Sequence, residues 1–229
     1  MKCVSVIIPC YNEKERIIPV IEGVIKSDLV REIIVVDDGS EKETVETLKT
    51  LPKEALVLRH EKNKGKAQAM KTGLLAAKGD VVVFVDADLK SFTADHLRLL
   101  CEPVLLGKCD MSIGVREKDV LYARIFKLSA AFGGERAFDR KKLIENINLF
   151  QSGGYLAEAD FNMYFLRNGK VEKVFLKGVG QASKLKKVGL RGMDKRVRMS
   201  MEIINHLGWR EFINQLVTIN RLKYYNQLC

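Results

Sequence analysis

With 229 residues, 47% of them hydrophobic and 30% charged, the chain is long enough for one sizeable core and polar enough for a soluble protein. No stretch approaches the roughly 20 consecutive apolar residues of a membrane-spanning helix, and the opening apolar run is too short for a secretion signal, so a cytoplasmic location is expected. The net charge of +10 is uneven: from residue 184 onward ten Lys or Arg face three Asp or Glu, a segment suited to phosphates, to an anionic membrane, or simply to water. Five cysteines, odd in number and without paired spacing, argue against a disulfide framework and against a zinc site.

Residues 4–9 form a short apolar run rich in β-branched side chains, the pattern of a buried strand. Asn12 with Glu15 gives a capping-box start to a helix carrying Ile17, Ile21, Val24 and Ile25. A second strand follows at 33–37, and Ser40 with Glu43 repeats the capping signal for a helix carrying Val45, Leu48 and Leu51. A third strand at 55–58 leads to a helix at 66–77 with a small-residue face, Ala69, Gly73, Ala76 and Ala77, and then to a fourth strand at 81–86. Thr93 caps a helix with Leu97, Leu100 and Val104, and later strands are read at 111–115 and 171–176. Part of 116–140 is expected to be a mobile loop. From Met193 onward the pattern is helical, and core packing is favoured over a membrane-surface helix for these amphipathic stripes.

Strands alternating with helices imply parallel strands and crossovers, and uniformly apolar strands imply a sheet covered on both faces. In such a sheet ligands bind beyond the carboxyl ends of the strands. Three of the first four strands end in polar groups: Pro9-Cys10-Tyr11-Asn12-Glu13, Asp37-Asp38-Gly39-Ser40 and Asp86-Ala87-Asp88. Carboxylates gathered on one rim repel one another unless a cation or hydrogen-bond donors intervene. Asp86 and Asp88 suit Mg²⁺ or Mn²⁺, hard ions that take oxygen ligands and often complete their shell with substrate phosphates. Asp37 or Asp38 can accept the imide N–H of a uracil or the donors of a guanine, and Tyr11 offers a stacking face. Asn63-Lys64-Gly65-Lys66 precedes a helix, where glycine permits close approach and the helix start favours anions, so Lys66 can meet a nucleotide. There is no Gly-x-Gly-x-x-Gly and no P-loop, which argues against a Rossmann dehydrogenase and a P-loop enzyme.

These residues resemble glycosyltransferase family 2 and its GT-A-fold relatives. The resemblance covers about residues 4–190. It rests on Pro9-x-Tyr11-Asn12-Glu13, on Val35-Val36-Asp37-Asp38-Gly39-Ser40, on Gly65-Lys66 with Gly73-Leu74, and on Gly79-Asp80 leading to Phe84-Val85-Asp86-Ala87-Asp88-Leu89. Within the group, Asp88-Leu89-Lys90-Ser91-Phe92-Thr93 and Gly134-Glu135-Arg136-Ala137-Phe138 are similar to the soluble members related to glucosyl-3-phosphoglycerate synthase; the dolichyl-phosphate mannosyltransferases are a more distant likeness. The resemblance implies an α/β, GT-A, Rossmann-like and mostly parallel sheet with helices on both faces, a catalytic domain at 1–190, and a basic helical extension at 191–229. It also implies roles. Pro9, Tyr11, Glu13 and Asp38, with Asp37 and Ala87, would hold base and ribose, and Lys66 would reach the nucleotide. Asp86 would meet ribose or metal, Asp88 would ligate Mg²⁺ or Mn²⁺, and Gly134, Glu135 and Arg136 would border the acceptor.

By the same resemblance Glu158 matches an acidic position that faces the acceptor, and in an inverting enzyme a carboxylate there would deprotonate the acceptor hydroxyl. Asp160 is its rival, and on a helix the two point to different sides. Relatives often carry a metal-binding histidine near 178–181, where this chain has Gln181. The expected activity is sugar transfer from a UDP- or GDP-sugar to a hydroxyl or phosphate acceptor. The alternatives are a sugar nucleotidyltransferase, which lacks its glycine-rich basic loop here, and a non-catalytic sugar-nucleotide or membrane-surface binding protein. Expected partners are the donor, an unidentified acceptor, an anionic membrane surface touched by the basic extension, and a second copy of the chain; nucleic acid is not expected, because no recognised motif accompanies the charge.

Overall fold

The computed structural model describes residues 2–116, 134–154, 156–181 and 190–225, with the side chains of 181 and 190–198 left aside. Most of the loop expected within 116–140 lies outside the described residues, as do Lys184, Lys186 and Lys187. In chain order the elements are β1 (Val4–Cys10), α1 (Ile18–Val24), β2 (Val30–Asp37), α2 (Lys42–Lys49), β3 (Ala55–Arg59), α3 (Lys66–Ala76), β4 (Val81–Phe84), β5 (Leu89–Lys90) and α4 (Ala94–Leu105). They continue with β6 (Met111–Arg116), β7 (Arg136–Asp139), α5 (Arg140–Glu145), α6 (Leu156–Asn168), β8 (Val171–Leu176), β9 (Gly180–Gln181), α7 (Leu190–Leu207) and α8 (Trp209–Arg221).

Seven strands form one sheet in the order β3-β2-β1-β4-β7-β6-β8, and β5 pairs with β9 beside it. β1 runs parallel to β2 and β4, β2 to β3, and β6 to β8. β7 alone is reversed, antiparallel to both β4 and β6. The sheet is thus mostly parallel, as expected, and apolar periodicity gave no sign of β7, a four-residue strand that opens on a buried arginine.

Alternation along β1 divides the core between the two faces. Val4, Val6 and Ile8 pack with Val20, Ile21 and Val24 of α1 and with Leu97 and Leu100 of α4. Ile7 joins the opposite layer, with Met70 and Leu74 of α3 and Phe161 and Phe165 of α6. Phe84, Phe138, Phe150 and Phe161 interlock there, with neighbouring ring centroids 5.0–6.4 Å apart. β3 is an edge strand, which is why Leu56 and Val57 are exposed.

Two expected caps are corrected. Neither Asn12 nor Ser40 accepts from the first turn of the helix that follows. Instead they bind each other's loops: Asn12 N–H donates to Ser40 Oγ at 3.0 Å, and Glu41 N–H donates to Asn12 Oδ1 at 2.8 Å. Thr93 does begin α4, where its N–H donates to His96 Nδ1 at 3.1 Å. β4 stops at Phe84 rather than at residue 86, because after Val85 N–H donates to Ile7 O the chain leaves the sheet.

The extension packs on the core. Ile203, Ile204, Phe212, Leu216 and Ile219 are buried in the same layer as α6, and buried Gln215 donates to Ala159 O at 3.1 Å. The other side of α8, with Trp209, Ile213 and Val217, faces solvent. Among the described residues no helix is long and apolar enough to cross a membrane.

The small-residue face of α3 has a steric cause. A Cβ at Gly73 would stand 2.4 Å from Ile7 Cγ2, so α3 lies against β1 only because no side chain intervenes. Gly73→Val is expected to lower stability by about 1–3 kcal/mol through overpacking, read as a melting temperature several degrees below wild type; an unchanged melting temperature would show that the helix can lift at no cost.

Candidate active site

Parallel pairing brings the ends of β1, β2 and β4 to one edge of the sheet. Because β7 is reversed, its beginning lies at that same edge, with Arg136 opposite Phe84. β6 runs with β4, so Arg116 at its end arrives there too. α3 starts and α6 passes at this rim, which makes it the meeting place of Lys66, Asp86, Arg116, Glu135, Arg136 and Glu158.

Lys66 is the centre. Its Nζ lies 2.8 Å from Asp86 Oδ1 and 2.9 Å from Glu158 Oε1. Burial pulls the Lys66 ammonium down, but the two carboxylates outweigh it and hold the group above the usual lysine value. Burial likewise pushes Asp86 up, and Lys66, with Arg116 and Arg136, outweighs it and holds the carboxyl below the usual aspartate value. Gly134 backs Asp86: a Cβ there would stand 2.6 Å from Oδ2, so the glycine keeps room for the carboxylate.

Behind this pair lie two fully buried charged residues, Glu135 and Arg136. Glu135 is fully buried; its Oε1 lies 3.4 Å from Arg116 Nη1, and Oε2 has no hydrogen-bond partner among the described residues. Burial pushes its carboxyl up to about 7, with Arg116 opposing the rise and Asp86 adding to it. Arg136 is 1% exposed and sits 3.3 Å from Asn162 Oδ1. Burial pulls it below the usual arginine value against the charges of Glu158, Glu135 and Asp86.

The two acids of α6 part company as helical geometry requires. Glu158 faces Lys66, whereas Asp160 Oδ1 lies 2.7 Å from His206 Nε2 on α7. At the β2 end both carboxylates turn inward. Asp37 Oδ1 accepts from Ser40 N–H at 2.9 Å, and Oδ2 lies 2.9 Å from Arg59 Nη1. Asp38 takes His60 Nδ1 at 2.7 Å and the N–H groups of Lys64 and Gly65 at 2.9 and 2.8 Å. Pro9 is half-buried in β1, Tyr11 is exposed at the rim, and Glu13 Oε2 lies 2.9 Å from Arg16 Nη2. Asn12 and Lys14, with φ of 54° and 51°, hold this loop in left-handed backbone that non-glycine residues seldom adopt.

Ala87 is buried between Asp86 and Asp88, both half-buried in the turn after β4. Among the described residues no three metal-ligating side chains converge. Two aspartate oxygens sets suit an ion whose remaining ligands come from a bound diphosphate, so the donor chemistry fits Mg²⁺ or Mn²⁺ without a protein cage. The backbone of residue 181 pairs with Leu89, beside that turn. Sequence reasoning missed Arg116, Asn162 and His60. The rule that strand ends deliver ligands would have found Arg116, and the four-residue spacing from Glu158 would have found Asn162.

The sequence pattern of glycosyl transferase family 2 matches residues 5–157. Glucosyl-3-phosphoglycerate synthase of Mycolicibacterium smegmatis is 33% identical over 137 residues, 57% of this chain and 44% of that protein. Dolichol-phosphate mannosyltransferase of Pyrococcus furiosus is 38% identical over 117 residues, 49% of this chain and 33% of that one. These matches span less than half the length of either relative. In three dimensions the chain is similar to glucosyl-3-phosphoglycerate synthase from Mycobacterium tuberculosis, solved with Mn²⁺, UDP and glucosyl-3-phosphoglycerate. The TM-score is 0.66 at 23% identity, over 97% of this chain and 81% of that one, which establishes the GT-A, Rossmann-like fold. With two thirds of its length matched by the family pattern, the chain belongs to glycosyl transferase family 2.

Proposed function

We propose that the chain transfers a sugar from a UDP- or GDP-sugar to a hydroxyl or phosphate acceptor. The observation that carries this is the Lys66 ammonium shared between Asp86 and Glu158. It joins a carboxylate of the donor side to a carboxylate of the acceptor side at the rim where such sheets bind ligands. Asp88 and Asp86 would hold Mg²⁺ or Mn²⁺, which would supply positive charge to the departing diphosphate. Support comes from the M. tuberculosis relative, whose solved complexes contain Mn²⁺ or Mg²⁺ with UDP.

The chain's own residues divide the remaining work. Pro9, Tyr11 and Glu13 border the base and ribose, with Tyr11 the exposed stacking face. Asp37 and Asp38 shape this subsite by fixing its loops. Lys66 balances the charge between donor and acceptor sides. Glu158 accepts the proton of an acceptor hydroxyl or orients it, and Gly134, Glu135 and Arg136 wall the acceptor side. A role for Asp160 in the transfer is not favoured, because its carboxylate is committed to His206.

The proposal is tested first by turnover of UDP- and GDP-sugars. Chelation should abolish it and Mn²⁺ restore it, and Asp88→Ala should lower it on the order of 100-fold; indifference to both would refute the metal assignment. Glu158→Gln should lower turnover by about 10²–10⁴-fold. Asp160→Asn should lower the melting temperature and keep turnover within about threefold; the reverse pattern would exchange the two roles.

Glu135 supplies a pH test. Its carboxyl stands at about 7 in the folded protein and 4.5 in solvent, so between these values the folded state keeps a proton that the unfolded chain has lost. Its contribution to stability is full below the lower value and fades as pH climbs through the higher one. In urea unfolding from about pH 5 to 8, Glu135→Gln, fixed in the neutral form, should decline less steeply than wild type; parallel curves would show that Glu135 holds no such proton.

A further inference from the structure

His60 follows β3, is 7% exposed, and has no part in the transfer chemistry described above. Its N–H donates to Asp37 O at 2.8 Å, which seats the residue beside the end of β2. The imidazole spans two elements: Nδ1 lies 2.7 Å from Asp38 Oδ1, and Nε2 lies 2.9 Å from Thr72 Oγ1 on α3. With Nδ1–H donating to the carboxylate, Nε2 is left to accept the threonine hydroxyl.

The carboxylate at the centre of this arrangement anchors the loop that enters α3. The residue before α3 is Gly65, which has a φ of 93° and no side chain with which to fix a helix start. In its place Asp38, reaching from the end of β2, accepts from the N–H groups of Lys64 and Gly65, the two residues before Lys66. Asp38 is 2% exposed, so its charge has little access to water, and His60 is the side-chain donor that accompanies the two amides. Removing a donor from a buried carboxylate costs free energy and frees the carboxylate to reorient toward another partner.

We infer that His60 is a positioning residue for Lys66: through Asp38 it fixes the loop that enters α3, and with it the place of the ammonium between Asp86 and Glu158. The inference rests on the proposed function for the meaning of that place, since it assumes that Lys66 meets the donor. The brace itself does not depend on that reading. Small displacements of a positioned charge carry large functional effects, which makes the loop a site where a remote substitution is felt in binding.

The test compares wild type with His60→Ala, His60→Asn and His60→Gln. An asparagine amide N–H can stand where Nδ1 stands, and a glutamine amide where Nε2 stands. The amides of Lys64 and Gly65 should exchange with solvent on the order of tenfold faster in the alanine and glutamine variants, and near the wild-type rate in the asparagine variant. Calorimetric affinity for UDP or GDP with Mn²⁺ should weaken about tenfold in the first two and return in the third. Unchanged exchange at Lys64 and Gly65 in His60→Ala overturns the inference, as does failure of His60→Asn to restore it. So does a lowered melting temperature with unchanged nucleotide affinity, the signature of a merely structural histidine. Absence of nucleotide binding by wild type would overturn the donor assignment instead, and the exchange rates would still decide the brace.

Discussion

One ammonium makes the rim of this sheet possible. Asp86 and Glu158 come from different elements and approach the same point, where two bare carboxylates would repel and resist ionisation. Lys66 stands 2.8 and 2.9 Å from them and removes that objection. The arrangement is reciprocal, because burial would otherwise favour the neutral amine and the two carboxylates reverse that preference. Around this core Arg116 and Arg136 add positive charge beside Asp86 and Glu158, and burial holds the neighbouring Glu135 carboxyl toward its neutral form. A site of this kind is preorganised for charge that arrives with a ligand, since the dipoles and ions are already in place before binding.

The reversed strand explains how so much charge reaches one edge. Parallel strands joined by crossover helices send every carboxyl end to the same side. β4 and β6 follow that rule, and a parallel strand between them would present its beginning at the far edge. β7 is antiparallel, so its first residues, with Gly134 and Glu135 just before, are carried to the rim beside Asp86. A side chain at Gly134 would meet the Asp86 carboxylate at 2.6 Å, so the carboxylate would have to leave its present place. The mixed topology is therefore part of the site's chemistry and not a detail of the fold.

Much of this was legible in the sequence, for a physical reason in each case. β1, β2 and β4 are buried on both faces and so read as apolar runs, and α3 showed its packing face as a line of small residues that Gly73 explains. The divergence of Glu158 and Asp160 follows from helical geometry alone, and the structure places one at Lys66 and the other at His206. What stayed hidden depends on partners far away in the chain. Asn12 and Ser40 have the side chains of helix caps, yet each is claimed by the other's loop across 28 residues. The doubled aspartate after β2 reads as an acceptor for a base, but its partners within the fold, Arg59 for Asp37 and His60, Lys64 and Gly65 for Asp38, come from later segments that the motif does not reveal. β7 was invisible because four residues beginning with a buried arginine match neither strand periodicity nor composition.

The division of α6 into two faces ties the extension to the site. On one face Glu158 and Asn162, four residues apart, address Lys66 and Arg136. The opposite face is held by the last two helices, through His206 against Asp160 and through buried Gln215 against the carbonyl of Ala159. α8 is itself anchored at its far end, where buried Lys173 donates to Asn220 O at 3.1 Å and lies 4.7 Å from the centre of the Tyr224 ring. A cation at that end also meets the negative pole of the helix. The rotation of α6 is thereby fixed from behind, and with it the distance at which Glu158 meets Lys66. The helices after residue 190 carry none of the proposed site residues, yet they set the geometry of one of them.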